Sequence, residues 1–116
     1  MNKRNRVLLL KIQKEGRYLL EKVEERNSDE LIENIDLQHI VVMALINIGG
    51  YVKFVREKLR QEHNEVKWRF IAGVRDVAAH NYDGLRLDDI WKNVTRDVPN
   101  LLEQVKGIFR AEGVEE

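Results

Sequence analysis

The chain has 116 residues, of which 43% are hydrophobic and 34% are charged, and its formal net charge is zero. This size and composition fit one globular domain, residues 1–116, and exclude a disordered protein. The absence of cysteine excludes disulfides, thiol catalysis and cysteine-ligated zinc. The apolar run at residues 7–10 is too short for a signal peptide, and no run approaches a membrane span. We therefore expect a cytoplasmic protein with no membrane partner.

Charge is distributed unevenly along the chain. Before residue 15 every charged side chain is basic, residues 21–36 are mostly acidic, and residues 53–75 are again mostly basic. Local basicity slightly favours a polyanionic partner such as nucleic acid, but solvated helix faces often carry such charge runs.

Apolar spacing of three and four residues predicts the first two helices. A stripe of Leu8, Ile12, Leu19 and Val23 indicates a helix over residues 3–26, and residues 27–29 have turn and cap chemistry. A second helix is predicted over residues 36–62. Its first half is apolar on most of its circumference, so it must be covered from several directions, and a second subunit could supply part of that cover.

Two further helical regions follow. The third helix is predicted from about residue 66 to about Tyr82, where Asp83 and Gly84 supply a stop. The fourth runs from about residue 85 to 109, and Pro99 kinks or restarts it. No strand-like alternation of useful length is present, so the predicted fold is all-α, an antiparallel bundle of four to five helices.

The segment of residues 75–82 gathers the side chains of phosphate chemistry. Arg75 offers a fork of donors, His80 can transfer a proton near neutral pH, and Tyr82 can accept a transferred group. In a helix Arg75 and His80 lie about 140° apart, whereas Asp76 shares a face with His80 and can orient its imidazole. By itself the pattern is more typical of a capping and salt-bridge cluster at a helix end than of a reactive site.

The same residues carry a family resemblance. Residues 68–84, with residues 45–49, Ile90-Trp91 and residues 97–101, resemble the HepT-like (DUF86) branch of the HEPN superfamily. The family mark is an arginine followed by a polar residue, three further residues and a histidine, with a tyrosine two places later. Arg75, Asp76, His80 and Tyr82 meet it. Gly50 stands where relatives often carry a glutamate.

The resemblance implies a two-fold homodimer of HEPN-like domains and a metal-independent endoribonuclease toxin that needs no cofactor. Its implied substrate is RNA, with tRNA as a candidate, and Arg75 and His80 would be catalytic, with Asp76 and Asn81 supporting them. The implied partner is a minimal nucleotidyltransferase (MNT) antitoxin, which would transfer AMP from ATP to Tyr82.

An alternative reading remains open. The chain is then a catalytically inactive helical docking module that binds a nucleotidyltransferase partner or a nucleotide. The other candidate residues have plain interpretations. His39 and His63 lack a second ligand at metal spacing and are interpreted as surface or packing residues. Trp68 and Trp91 are interpreted as core anchors.

Overall fold

Helices form all the regular secondary structure of the described chain. The computed structural model describes residues 1–80 and 86–114, without the side chains of residues 79 and 80. The all-α prediction is confirmed. The elements, in chain order, are α1 (Lys3–Val23), α2 (Ser28–Glu33), α3 (Ile35–Phe54), α4 (Glu57–Glu62), α5 (Trp68–His80), α6 (Leu87–Lys92), a π-helical segment (Asn93–Asp97) and α7 (Val98–Ala111).

Helix α1 forms as its sequence predicts but ends earlier. The Asn2 side chain caps it by accepting a hydrogen bond from the Asn5 amide at 2.7 Å. Most of the predicted stripe is buried, and Leu8 is half-buried. The helix stops at Val23 rather than near residue 26, because Glu25 adopts a left-handed backbone with a φ of 63°.

The second predicted helix, residues 36–62, is wrong as a single element, because the chain breaks after Phe54 and resumes as α4. One long-range hydrogen bond and a local set of hydrogen bonds stabilise the break. The buried Asn5 side chain accepts a hydrogen bond from the Arg56 amide at 3.1 Å. The Arg60 guanidinium donates to the carbonyls of Val52, Lys53 and Val55 at 2.8–2.9 Å, which satisfies acceptors at the end of α3.

Helix α2 was missed from the sequence. Residues 27–29, interpreted as a turn, begin a short helix in which Asn27 caps the Glu30 amide at 3.0 Å. Asn34 then ends α2 and caps α3, because its side chain accepts from the Leu37 amide at 3.0 Å. The cap chemistry was identified correctly, but the six-residue helix that follows it was not.

The prediction that Pro99 kinks or restarts the last helical region is confirmed. α6, the π-helical segment and α7 follow one another without a gap, and Pro99 occupies the first turn of α7. Proline lacks an amide donor, and a π-helical turn is one of the ways in which a helix accommodates the missing hydrogen bond.

Helix α3 is the centre of the bundle. It packs mainly against α5 and α1, and α7 packs against α1. Contacts of Arg4 with Phe54 and of Lys11 with Tyr51 show that α1 and α3 are antiparallel. Among the described helices α3 alone is long and apolar enough to span a membrane, contrary to the expectation from sequence, but 44% of its most apolar window is buried in the bundle. A core helix of a soluble protein has the same character.

Candidate active site

Arg75 lies where α5 crosses α3 at very short range. A Cβ atom placed on Gly49 would collide with the Cβ of Arg75, and it would lie 2.9 Å from Arg75 Cγ and 3.1 Å from the Ile71 carbonyl oxygen. Only glycine permits this approach. Gly49 therefore fixes the position of the arginine relative to α3.

The Arg75 guanidinium retains unused donor capacity. Its Nη1 donates to Asp76 Oδ1 at 3.2 Å, and its Nε is buried without a hydrogen-bond partner among the described residues. The side chain is about one-third exposed. A buried arginine donor without a partner is costly, so this group favours an anionic acceptor at the site.

Asp76 is held by two cations rather than standing alone. Its Oδ1 accepts from Lys53 Nζ at 2.6 Å as well as from Arg75. The Lys53 hydrogen bond, together with Arg75, lowers the pKa of Asp76 below its ordinary value of 3.8. Asp76 is therefore a carboxylate near neutral pH, and it ties α5 to α3. Its predicted role in orienting His80 stays a prediction.

The described part of α5 ends at His80, whose helical register is known but whose side chain is not described. His80 follows Asp76 by four residues and Val77 by three, so its backbone position lies on the same side of α5 as theirs. The predicted supporting residue Asn81 and the predicted modified residue Tyr82 lie outside the described residues, as does the predicted end of the third helix.

A groove between α1 and α3 opens beside Arg75. This α1–α3 groove has a volume of about 480 Å³, and its lining includes the exposed Arg4 and Lys11 of α1. All the charged side chains that line it, namely Arg4, Lys11 and Arg75, are cations. Gly50 leaves the groove open, because a Cβ atom there would meet no other atom within 4 Å. Sequence reasoning noted the basic segment at residues 3–14 but did not place it beside the motif.

His63 is not the isolated residue that the sequence suggested. It is buried, its Nε2 lies 3.5 Å from Glu112 Oε2, and its Nδ1 lies 3.7 Å from Glu65 Oε1. Ligand atoms of Glu62, His63 and Glu112 lie within 4.8 Å of one another, a spacing that a metal ion tolerates. Glu112 lies 49 residues after His63 in the sequence, so the spacing of the ligand residues did not indicate this cluster.

Trp68 is a core anchor, as predicted. Its side chain is buried, and its Nε1 donates to the His63 carbonyl at 3.0 Å. Trp91 is half-buried and packs against the core. The plain interpretation of both residues as packing groups therefore holds for the described chain.

Together, the fold and the motif define a class of protein. Its members are all-helical domains in which an arginine and a histidine lie five positions apart on one helix. The chain belongs to the ribonuclease HepT-like family, whose profile matches residues 12–108. The resemblance drawn from the motif residues is thereby confirmed.

Individual relatives agree with this membership. The chain is 33% identical over 101 residues to a protein of Caldanaerobacter subterraneus subsp. tengcongensis named "Putative RNase", covering 87% of this chain and 90% of that one. It is 36% identical over 64 residues to the "Probable ribonuclease HepT" of Thermococcus cleftensis, covering 55% and 58% of the two chains. No solved structure matches significantly.

Proposed function

We propose that this protein is an endoribonuclease that cleaves RNA by transesterification without a metal ion. Membership in the ribonuclease HepT-like family supports the activity. The observation that carries the proposal is the placement of Arg75, whose Nε has no hydrogen-bond partner among the described residues and whose side chain lines a groove in which every charged lining residue is a cation. A phosphodiester satisfies this arginine, because its two free oxygens match the guanidinium fork.

The reaction proceeds by attack of the ribose 2′-oxygen on the adjacent phosphorus. The bond from phosphorus to the 5′-oxygen breaks, a base removes the 2′-hydroxyl proton, and an acid protonates the departing 5′-oxygen. His80 performs this proton transfer, and Arg75 stabilises the charge that develops on the phosphate oxygens. Asp76 and Asn81 support these two groups.

One chain carries a single histidine in the motif, whereas the reaction needs a base and an acid. A two-fold homodimer supplies both the base and the acid, because it brings two copies of His80 and Arg75 to one interface. The exposed face of α5 supports such a dimer: Phe70 is 48% exposed, Val77 is 54% exposed, and Gly73 between them leaves open space for a facing helix. His80 lies on the same side of α5 as this face.

A cleavage assay tests the activity. Wild-type protein, His80→Ala and His39→Ala are incubated with mixed tRNA and a chelator, after mass spectrometry confirms that Tyr82 is unmodified. We expect His80→Ala to lose about 10²–10⁴-fold in rate, the usual contribution of a general acid or base. His39 is exposed and remote from the motif in sequence, so His39→Ala should cleave like wild type.

The outcomes separate the two readings of the sequence. Equal cleavage by all three proteins would contradict the role of His80. If none of the three proteins cleaves RNA and the protein binds a nucleotidyltransferase stably, the docking-module function would be favoured over the enzyme.

We further propose that the enzyme is the toxin of a toxin–antitoxin pair and is neutralised by AMP transfer to Tyr82. The tyrosine oxygen attacks the α-phosphorus of ATP, the phenolic proton is lost to a base, and pyrophosphate leaves. The family resemblance around Tyr82 supports this proposal. Incubation with an MNT partner and ATP should add one AMP to wild type and none to Tyr82→Phe. Modification of both proteins at another residue would contradict the assignment.

A further inference from the structure

We propose that the α1–α3 groove is the track along which single-stranded RNA reaches the motif, with Arg4 and Lys11 binding its phosphates and Phe54 and Tyr51 contacting its bases. This inference rests on the proposed ribonuclease function, since it concerns the substrate of the same site. It assigns a role to four side chains outside the family motif.

The charge of the groove selects a polyanion. Arg4, Lys11 and Arg75 line it, and the described lining has no carboxylate. Arg4 and Lys11 are exposed on one face of α1, seven residues apart, which is about 10 Å along a helix axis. Phosphate neutralisation by such a row of cations is the main source of sequence-independent affinity for nucleic acid.

The aromatic side chains favour a single strand over a duplex. The Arg4 guanidinium carbon lies 5.8 Å from the Phe54 ring centroid, and Lys11 Nζ lies 5.7 Å from that of Tyr51. Phe54 is 60% exposed, so much of its ring stays available to a base. Unpaired bases stack on exposed aromatic rings beside cations, whereas the bases of a duplex are already stacked on one another.

The groove reaches Arg75, the proposed phosphate-binding residue. Phe54, Gly50 and Arg75 line the same groove, and a Cβ atom at Gly50 would meet no other atom within 4 Å. A phosphate bound by Arg75 therefore belongs to a strand whose neighbouring nucleotides contact α1. Two carboxylates that contact residues of the groove lining are already engaged: Glu15 accepts from Asn47 Nδ2 at 3.2 Å, and Asp76 pairs with Lys53 as well as with Arg75.

Fluorescence anisotropy with a short labelled single-stranded RNA tests the track. All proteins carry His80→Ala so that the probe stays intact. Arg4→Gln with Lys11→Gln is compared with Lys14→Gln plus Arg17→Gln, which removes the same charge from exposed positions of the same helix outside the groove. Only the groove pair should weaken binding by tenfold or more and reduce the salt slope by about 1.4, because each lost phosphate contact removes about 0.7.

Two further comparisons test the effect of charge in the groove and the effect of the Phe54 ring separately. Gly50→Glu should weaken binding more than Gly50→Gln, because the side chains are nearly isosteric and only the carboxylate repels phosphate. Phe54→Leu should weaken binding about tenfold, whereas Tyr18→Leu, at another exposed aromatic residue, should not. A duplex of the same sequence should respond less to Phe54→Leu than the single strand does.

The result that overturns the inference is equal binding by groove and control variants. A loss of dimer mass in the groove variants with unchanged RNA binding would also overturn it, because the groove would then be a subunit interface. Cleavage is measured separately in proteins with an intact His80. If the wild-type protein does not cleave RNA but the groove variants still bind RNA more weakly than the control variants, the ribonuclease proposal fails and the RNA track stands. If the groove variants cleave with unchanged KM, the track fails and the ribonuclease stands.

Discussion

Replacement of Gly49 by alanine tests whether the α3–α5 crossing positions Arg75. The new Cβ would collide with Arg75 Cβ and lie 3.1 Å from the Ile71 carbonyl oxygen. Neither atom can move by side-chain rotation, because Arg75 Cβ is bonded directly to the backbone and the Ile71 oxygen is a backbone atom. The helices must therefore separate. Overpacking of this kind costs about 3 kcal/mol at the upper end of its usual range, and the better helix propensity of alanine offsets about 1 kcal/mol.

The expected net destabilisation by Gly49→Ala is about 2 kcal/mol, which corresponds to a decrease in Tm of about 8 °C for a domain of this size. Gly50→Ala is the matched control, because its Cβ meets nothing within 4 Å. It should stabilise the protein by up to about 1 kcal/mol. Thermal and urea unfolding followed by circular dichroism measure both values. Equal stability of the two variants would refute the close approach of α3 and α5 at Arg75.

Three other predictions concern the site and its support. NMR titration should give Asp76 a pKa below 3.8, and Lys53→Met should raise it, because Lys53 is the main cause of the shift. The pKa of Asp76 is lower in the folded protein than its ordinary value of 3.8. The stabilising contribution of this ion pair is therefore present above pH 3.8 and is lost as the pH falls from that value through the pKa of the folded state. Val77→Glu should give a monomer with a folded spectrum and no cleavage, whereas Val7→Glu, also exposed, should stay dimeric; light scattering measures the mass. Asn5→Ala should cost about 1 kcal/mol in urea unfolding, because it removes the side-chain acceptor of the Arg56 backbone amide at the α3–α4 break.

Local patterns in the sequence predicted most of the helices. The apolar stripe of α1 and the effect of Pro99 on the last helical region depend on neighbouring residues, so periodicity and proline chemistry were sufficient. The break after Phe54 could not be predicted in this way. It depends on Asn5, which is 51 residues from Arg56 in sequence.

The motif showed where the candidate site lies along the chain, but not what surrounds it. Arg75 was identified from its spacing to His80, whereas its Gly49 neighbour and the Lys53–Asp76 pair arise only when α3 and α5 pack. The groove likewise combines cations of α1 with aromatic residues of α3. No sequence period links those positions.

The most direct test of the central claim is the chemistry of the RNA ends produced in the presence of a chelator. Attack by the 2′-oxygen must leave a 2′,3′-cyclic phosphate or its hydrolysis product on one fragment and a 5′-hydroxyl on the other. We expect these ends from wild type, none from His80→Ala, and no cleavage of a probe with 2′-deoxyribose at the cut site. Ends with a 5′-phosphate, or cleavage that stops when the chelator is added, would contradict a metal-independent transesterification by Arg75 and His80.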